Sequence, residues 1–304
     1  MIVIYGGSSI TNAIDGFRTM SSNWLAFTHR SIPFTVYNAS QSSRNSWNNL
    51  MRIQSDYLDR LPDLIVFDNA NNDAAGIDRQ SIEALIRRVW AAFPDCKFVF
   101  MKIFSVTNPY VDAGIDSPTN ATQQAEFSAL AAQYGIPLVL YYDSIKTMVN
   151  GGDRLFRYMV DTIHPNPDGH CIASTLLESY LTLSFLSTRQ SPAVLPARLY
   201  DNGDYENTAT IKNGTAYDSL TGSWTPAGTS ISSSSAGATI TYSATCQSYG
   251  RPETDGTMQV SIDGGAYVTV VFGPNGLSAG ARAAHTITIK VVSGTVTISK
   301  FWAL

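Results

Sequence analysis

The hydrophobic pattern of the chain changes near residue 190, and this change constrains the fold more than any other feature of the sequence. Before it, short apolar runs alternate with amphipathic stretches that have helical spacing. After it, apolar and polar residues alternate along short runs that are separated by glycine-containing turns. The 304 residues are enough for one large domain or two modest ones. The sequence therefore predicts two units of different fold class.

The first 188 residues have the pattern of a parallel sheet with helical crossovers. Strands are expected at residues 2–5, 34–37, 64–67, 98–101 and 138–141. Helices are expected between them, at residues 45–58, 81–93 and 121–134. Because helical crossovers cover both faces of a parallel sheet, this order predicts a three-layer α/β/α unit.

The remainder of the chain has the pattern of an all-β unit. Residues 189–203 contain two prolines and show no helical spacing, so they are expected to form a linker. Residues 204–304 contain alternating runs separated by turn residues, and they predict a small antiparallel β-sandwich of jelly-roll type.

Composition excludes several classes of function. The net charge is −4, only 14% of residues are charged and no basic run is present, which argues against a nucleic-acid partner. No apolar stretch has the length of a membrane span, and no signal peptide is expected at the amino terminus. The compartment stays open, extracellular and virion-associated proteins included. The three cysteines are far apart and lack metal-ligand spacing, so neither a disulfide framework nor a metal site is expected.

Polar clusters follow four of the expected strands, at residues 6–11, 38–45, 68–73 and 105–110. The carboxyl ends of parallel strands meet at one edge of a sheet, which is where ligands bind in such folds. The sequence therefore predicts that these four loops converge on one site.

A serine stands where the first strand is expected to turn into a helix, in the string Gly7-Ser8-Ser9-Ile10-Thr11. Such a serine can be a nucleophile, but it can also be only a helix cap. The same arrangement holds phosphate in flavin- and nucleotide-binding proteins. Neither a Walker A loop nor a Gly-x-Gly-x-x-Gly string is present. The turn alone does not decide between these interpretations.

An aspartate precedes a histidine by three residues in the string Asp161-Thr162-Ile163-His164-Pro165. This spacing lets the carboxylate reach the ring and fix its tautomer, so that the other ring nitrogen can accept a proton. The alternative is an aspartate that caps a helix beside a surface histidine. The other three histidines lack this spacing. His170 is a poorer candidate for the base because it is expected to lie within a helix, and His29 and His285 are expected to be structural.

Four strings, in this order, resemble the sequence blocks of the SGNH, or GDSL-type, hydrolases. Residues 7–11 resemble the block Gly-Asp-Ser-Ile-Thr, and residues 38–43 (Asn-Ala-Ser-Gln-Ser-Ser) resemble Asn-Ala-Ser-x-Ser-Gly. Residues 70–73 (Ala-Asn-Asn-Asp) resemble Gly-x-Asn-Asp, and residues 161–166 resemble Asp-x-x-His-Pro-Asn. The resemblance covers residues 1–188 and implies a flavodoxin-like three-layer fold.

The resemblance also implies a role for each matching residue. The nucleophile is Ser9, the base is His164 and the residue that orients the base is Asp161. The oxyanion donors are the backbone N–H groups of Ser9 and Ser43 and the side-chain amide of Asn72. Three residues depart from the usual blocks, since they replace an aspartate and two glycines: Ser8, Ser43 and Ala70. A positive φ at Ser43 would strain that residue.

The chemistry implied is ester hydrolysis without metal or cofactor, and an O-acetylated polysaccharide is the expected substrate. Side chains suited to sugar faces and hydroxyls are expected in the converging loops: Arg44, Trp47, Asn69, Asn71, Asn108 and Tyr110. The β-sandwich is expected to bind carbohydrate or to serve assembly, including a homo-oligomer. The alternatives are a lipase or thioesterase, a phosphate or flavin binder, and a non-catalytic carbohydrate-binding or virion protein.

Overall fold

The computed structural model describes residues 1–68, 71–73, 77–116, 121–188, 190–192, 194–200, 210–249, 256–270, 277–298 and 300–303. The chain divides into two compact units, Met1–Glu206 and Asn207–Leu304. Each has its own hydrophobic core.

The first unit is built on a parallel sheet of five strands. They are β1 (Ile2–Gly6), β2 (Thr35–Asn38), β3 (Leu64–Phe67), β4 (Lys97–Met101) and β5 (Leu138–Val139). Their order is β2-β1-β3-β4-β5, and Val3 of β1 pairs with Val36 on one side and Leu64 on the other. This is the flavodoxin-like order, so the predicted α/β class is confirmed.

Nine helices accompany this sheet in the described residues: α1 (Ser9–Asn12), α2 (Phe17–Thr28), α3 (Ser46–Met51), α4 (Ile53–Asp56), α5 (Ile77–Ala92), α6 (Ala121–Tyr134), α7 (Tyr141–Asn150), α8 (Pro167–Tyr180) and α9 (Leu183–Ser187). Short 3-10 helices lie at Leu58–Arg60, Asp112–Asp116 and Leu155–Arg157.

Two element boundaries differ from the prediction. The helix expected at 45–58 is interrupted at Arg52, whose φ of −97° and ψ of +11° depart from helical values. The strand expected at 138–141 ends at Val139, because Tyr141 begins α7. A short buried apolar run does not distinguish a strand from the first turn of a buried helix.

Helices cover both faces of the sheet. On one face Val3 and Tyr5 share a core with Phe17 of α2 and Leu177 of α8. On the other face the Phe100 ring stacks on Phe127 of α6 at 4.3 Å, and the Phe98 ring meets Trp90 of α5 edge-on at 5.6 Å. Since successive strand residues point to opposite faces, this alternation gives the three layers.

The described part of segment 189–203 packs on the first unit. The Glu83 carboxylate is completely buried and accepts the N–H groups of Leu199 and Tyr200 at 2.6 and 2.7 Å. Gln190 Nε2 donates to the Phe98 carbonyl at 2.9 Å. The division between the units falls after Glu206, beyond the segment expected to link them.

The second unit is antiparallel, as predicted. Its strands are β6 (Thr210–Asn213), β7 (Ser219–Thr221), β8 (Thr225–Ala227), β9 (Ser230–Ser233), β10 (Thr239–Tyr249), β11 (Thr257–Ile262), β12 (Val268–Val270), β13 (Leu277–Ser293), β14 (Val296–Ile298) and β15 (Lys300–Ala303). One sheet has the order β12-β11-β13-β10-β15-β6 with β7 beside β10, and the other has the order β14-β9-β8. Ile231 of β9 and Val296 of β14 share a core with Tyr242 and Phe301 of the larger sheet, so two sheets enclose one core.

Candidate active site

The turn that carries Ser9 is built around a glycine. Strand β1 ends at Gly6, and Ser9 begins α1 two residues after Gly7. Gly7 has a φ of +137°, and a Cβ there would lie 1.9 Å from the Asp68 Oδ1 atom. Ser8 caps the helix with its side chain. The sequence thus brings Ser9, half-buried, to the carboxyl edge of the sheet.

A chain of hydrogen bonds joins Ser9 to the loop before α8. The distance from Ser9 Oγ to His164 Nε2 is 2.9 Å, and that from His164 Nδ1 to Asp161 Oδ2 is 2.7 Å. An ionised carboxylate only accepts, so Nδ1 carries the ring proton and Nε2 is left to accept from the serine hydroxyl. Asn166 then begins α8 by accepting the Gly169 N–H at 3.0 Å.

Asp161 is held in its ionised form. Its Oδ1 atom accepts the N–H groups of Ile163 and His164 at 2.7 and 2.6 Å. Partial burial raises the pKa of Asp161, but these N–H groups and the His164 ring outweigh it and leave the pKa below its ordinary value. The three-residue spacing found in the sequence is the spacing that allows all of these contacts.

Loops that follow different strands meet around this chain of hydrogen bonds. Asn72, in the loop after β3, donates from Nδ2 to the carbonyl of Arg44, in the loop after β2, at 2.9 Å. Val106, after β4, donates its N–H to the Thr162 carbonyl at 2.9 Å. The described residues of all four polar clusters therefore lie at one edge of the sheet, as the topology predicts.

Asp68 is a site residue that the sequence did not single out. It follows β3 and is 1% exposed; its Oδ1 accepts the Ser8 N–H at 2.7 Å and its Oδ2 accepts the Thr11 hydroxyl at 2.6 Å. Burial raises the pKa of Asp68 to about 6, although the donors on Thr11 and Ser8 oppose it. Two signals pointed to it: its place at the start of the cluster 68–73, and the absence of an acid at position 8.

The resemblance implies Ser43 and Asn72 as oxyanion donors, and the two residues differ in exposure and in their contacts. Ser43 is exposed and has a φ of +58°, in the left-handed region that favours glycine. The Asn72 amide donates to the Arg44 carbonyl. Ala70 lies outside the described residues.

The expected sugar-binding residues are not all accessible. Trp47 is 1% exposed in α3, so the expectation that its ring contacts a sugar is wrong; its indole packs in the interior. Tyr110 is 70% exposed, and the Asn108 side chain accepts its N–H at 2.9 Å. Asn71 is half-buried, and Asn69 lies outside the described residues.

The remaining histidines have structural contacts. His170 lies in α8, where Nδ1 accepts the Phe17 N–H at 3.3 Å and burial lowers its pKa to about 4. His29 is buried, with Nε2 3.0 Å from a backbone carbonyl. His285 Nδ1 lies 2.7 Å from Asp263 Oδ2. The sequence did not predict this pair, because Asp263 follows β11 and His285 lies in β13.

Two other kinds of site are absent from the described ranges. Those ranges contain no cluster of three or more His, Cys, Asp or Glu side chains that could hold a metal ion. They also contain no helix that is long and apolar enough to cross a membrane. The three cysteines are free thiols, of which Cys96 and Cys246 are buried and Cys171 is exposed.

The sequence model of the GDSL-like lipase/acylhydrolase family matches residues 6–172, more than half of the chain. The chain belongs to this family. The match includes Ser9, Asp161 and His164, and it confirms the resemblance seen in the sequence. No curated protein matches the chain.

Several solved esterase structures have the same fold. A two-domain esterase active on acetylated mannans, co-crystallised with mannopentaose, has a TM-score of 0.78 at 16% identity and is matched over 100% of this chain and 90% of its own. An acetyl xylan esterase has a TM-score of 0.51 at 17% identity, over 60% of this chain and 100% of its own. A putative GDSL-like lipase from Parabacteroides merdae has a TM-score of 0.51 at 16% identity, over 59% of this chain and 94% of its own. Together with family membership, these folds support a carboxylic ester hydrolase.

Proposed function

We propose that the protein is a serine esterase in which Ser9 is the nucleophile, His164 the general base and Asp161 the residue that orients the base. One observation carries the proposal: the hydrogen bonds of 2.9 and 2.7 Å that join Ser9 to His164 and His164 to Asp161. Nucleophile, base and orienting carboxylate in this order are the working parts of acyl transfer by serine enzymes.

The reaction has two halves. Ser9 Oγ forms a bond to the acyl carbon while its proton passes to His164 Nε2, and the Asp161 carboxylate stabilises the imidazolium. The tetrahedral species then expels the alcohol, which takes the proton from His164 and leaves an acyl-serine. Water repeats the sequence: its proton goes to His164, its oxygen bonds to the acyl carbon, and Ser9 leaves with the proton as a carboxylic acid is released.

The oxyanion is held, in this proposal, by the N–H groups of Ser9 and Ser43 and by the Asn72 amide. The amide nitrogen of Asn72 has two N–H bonds, and one of them donates to the Arg44 carbonyl at 2.9 Å. That contact fixes the amide plane and leaves the second N–H for the substrate. Fixed donors of this kind stabilise developing charge without reorganising during the reaction.

The substrate that we propose is an O-acetylated glycan. The folds most relevant to this proposal belong to an esterase active on acetylated mannans and to an acetyl xylan esterase. The exposed ring of Tyr110, in the loop after β4, offers a face on which a sugar can pack. The second unit, in the same proposal, holds the polymer or serves assembly.

Hydrolysis of acetylated mannan and acetylated xylan, measured by acetate release, tests this function. Aryl esters from acetate to laurate, assayed in parallel, measure the preference for acyl length. We expect turnover of an acetylated glycan, a preference for acetate, and loss of both activities in S9A. A preference for long acyl chains with no release from either glycan indicates a lipase. An inactive wild-type protein indicates a non-catalytic binding protein.

A further inference from the structure

The family block has an aspartate one residue before the nucleophile, and this chain has Ser8 there. We propose that Asp68, at the end of β3, supplies that carboxylate and is the positioning residue that holds the Ser9 turn ready for attack. The proposal deepens the proposed function and rests on it, because it concerns how Ser9 is held.

The contacts of Asp68 lie on both sides of the nucleophile. One carboxylate oxygen accepts the N–H of Ser8, the residue before Ser9, at 2.7 Å. The other accepts the hydroxyl of Thr11, two residues after Ser9, at 2.6 Å. A single buried side chain therefore fixes the turn into α1 at two points. Displacing Ser9 by a fraction of an ångström lengthens its 2.9 Å hydrogen bond to His164.

The backbone around Ser9 is shaped to admit this carboxylate. A Cβ on Gly7 would lie 1.9 Å from Asp68 Oδ1 and 2.2 Å from the Asp68 carbonyl oxygen, so only glycine fits there. The Asp68 N–H also donates to the Gly6 carbonyl at 3.2 Å. Gly7 therefore cannot carry a side chain while Asp68 stands beside it.

The buried space beside positions 8 and 68 favours a single carboxylate. Ser8 and Asp68 are each 1% exposed, and the Ser8 N–H donates to the Asp68 carboxylate. An aspartate at position 8 would place a second negative charge against Asp68 where water does not screen it. In this chain the carboxylate belongs to Asp68, directly after β3, and the helix-cap position is occupied by Ser8.

The surroundings of Asp68 make its charge sensitive to pH. Tyr57 is a titratable group that faces it, and the Tyr57 hydroxyl donates to Asn49 Oδ1 at 2.8 Å. Among the described residues no cation forms an ion pair with Asp68. Desolvation accordingly raises its pKa to about 6. Protonation of Asp68 turns one of its two accepting oxygens into a donor, so in acid the contact from Ser8 or from Thr11 is altered.

Reciprocal exchange of the two positions tests the proposal. We expect D68S to lower kcat by about 10- to 100-fold with KM changed less than about threefold, since positioning acts on the reacting geometry. We expect S8D alone to lower kcat as well, through repulsion of two buried carboxylates. The double variant S8D/D68S should exceed both single variants in kcat, because it restores one carboxylate beside the turn.

The pH profile of D68N gives a second readout that loss of packing would not change. In the wild type we expect kcat to fall as the pH drops below about 6, the pKa of Asp68. In D68N this fall should be less steep, and the requirement for an unprotonated base at His164 remains in both proteins. If D68S does not fold, as judged by circular dichroism, D68N and the double variant still decide the question.

Three results overturn the proposal: wild-type kcat in D68N, additive effects of S8D and D68S, or a fall of kcat in acid that is as steep in D68N as in the wild type. S9A, measured in the same series, separates this outcome from failure of the proposed function. Loss of activity in S9A with wild-type kcat in D68N refutes the role of Asp68 alone. Full activity in S9A refutes the proposed nucleophile itself.

Discussion

Two aspartate–histidine pairs in this molecule have the same geometry and lie in different folds. His164 and Asp161 are 2.7 Å apart in the α/β unit, and His285 and Asp263 are 2.7 Å apart in the antiparallel unit. In each pair the second carboxylate oxygen accepts a backbone N–H, from His164 and from Thr286 respectively. The local chemistry of the two pairs is nearly identical.

The difference lies in what surrounds each pair. His164 lies at the carboxyl edge of a parallel sheet, where a strand-to-helix turn brings the Ser9 hydroxyl to Nε2. Asp263 lies in the turn after β11, and His285 belongs to β13, so that pair fastens two neighbouring strands. An aspartate and a histidine in contact do not make a catalytic site. The Ser9 hydroxyl at the second ring nitrogen of His164 is the observation that leads us to propose a catalytic role for the first pair.

The largest difference is expected when the two histidines are replaced in turn. H164Q removes the proposed base, and we expect kcat to fall by about 10³-fold or more. H285Q leaves the proposed chemistry untouched and should keep wild-type kcat. Steady-state kinetics on an aryl acetate, with circular dichroism to confirm folding, measures both. Equal losses in the two variants would break the comparison.

The two aspartates should differ by less. D161N keeps a hydrogen-bonding side chain but favours the wrong tautomer of His164, which costs about 10²- to 10⁴-fold in kcat. D263N is the matched control in the second unit, with no expected effect on kcat. Imidazole NMR of the two variants reports the tautomers directly. A D161N enzyme with full activity refutes the orienting role.

Sequence reasoning found the first pair and missed the second for a physical reason. Asp161 and His164 are three residues apart, so one loop brings them together and the spacing is visible in the sequence. Asp263 and His285 meet only because β11 and β13 pair, and Asp68 reaches Ser8 only because β1 and β3 are neighbours. Pairings across a sheet depend on register, which local patterns do not specify.

The same distinction holds for the fold. Short apolar runs between stretches of helical spacing predicted the five parallel strands, and period-two alternation predicted the antiparallel unit, because these patterns depend on which faces are buried. They did not predict that Trp47 points inward or that a helix begins at Tyr141. Those details follow from packing against neighbouring elements.

Stability should depend on pH in opposite directions at two kinds of carboxylate. The aspartates of the two pairs stabilise the fold when ionised, whereas Asp68 stabilises it more when protonated. The N–H of Thr286 and the ring of His285 lower the pKa of Asp263, and the pKa of Asp161 is also lowered. Their stabilising contributions are present above the ordinary value of 3.8 and are lost as the pH falls through the lowered pKa.

Asp68 is protonated more readily when folded, so its contribution is present below 3.8 and is lost as the pH rises through about 6. Thermal melts of the wild type, D263N and D68N measure these effects. D263N should lose its difference from the wild type in acid, whereas D68N should gain Tm relative to the wild type as the pH rises to 6. The same slope in both variants would contradict these assignments.

The smallest effect is expected at Ser43, whose N–H is one of the proposed oxyanion donors. Its φ of +58° is strained for serine, so S43G should stabilise the protein by about 0.5–1 kcal/mol. Because the N–H is kept, kcat should change less than about threefold. S42G is the matched control, since Ser42 is exposed and lacks a positive φ, and it should not stabilise. Urea denaturation measures both.

Labelling with a fluorophosphonate probe tests the central claim most directly, because only an activated serine reacts with it. We expect one adduct per chain, located by peptide mass spectrometry at Ser9, absent in S9A, much slower in H164Q and unchanged in H285Q. An adduct at another residue, no adduct at all, or equal rates in H164Q and H285Q would contradict the account.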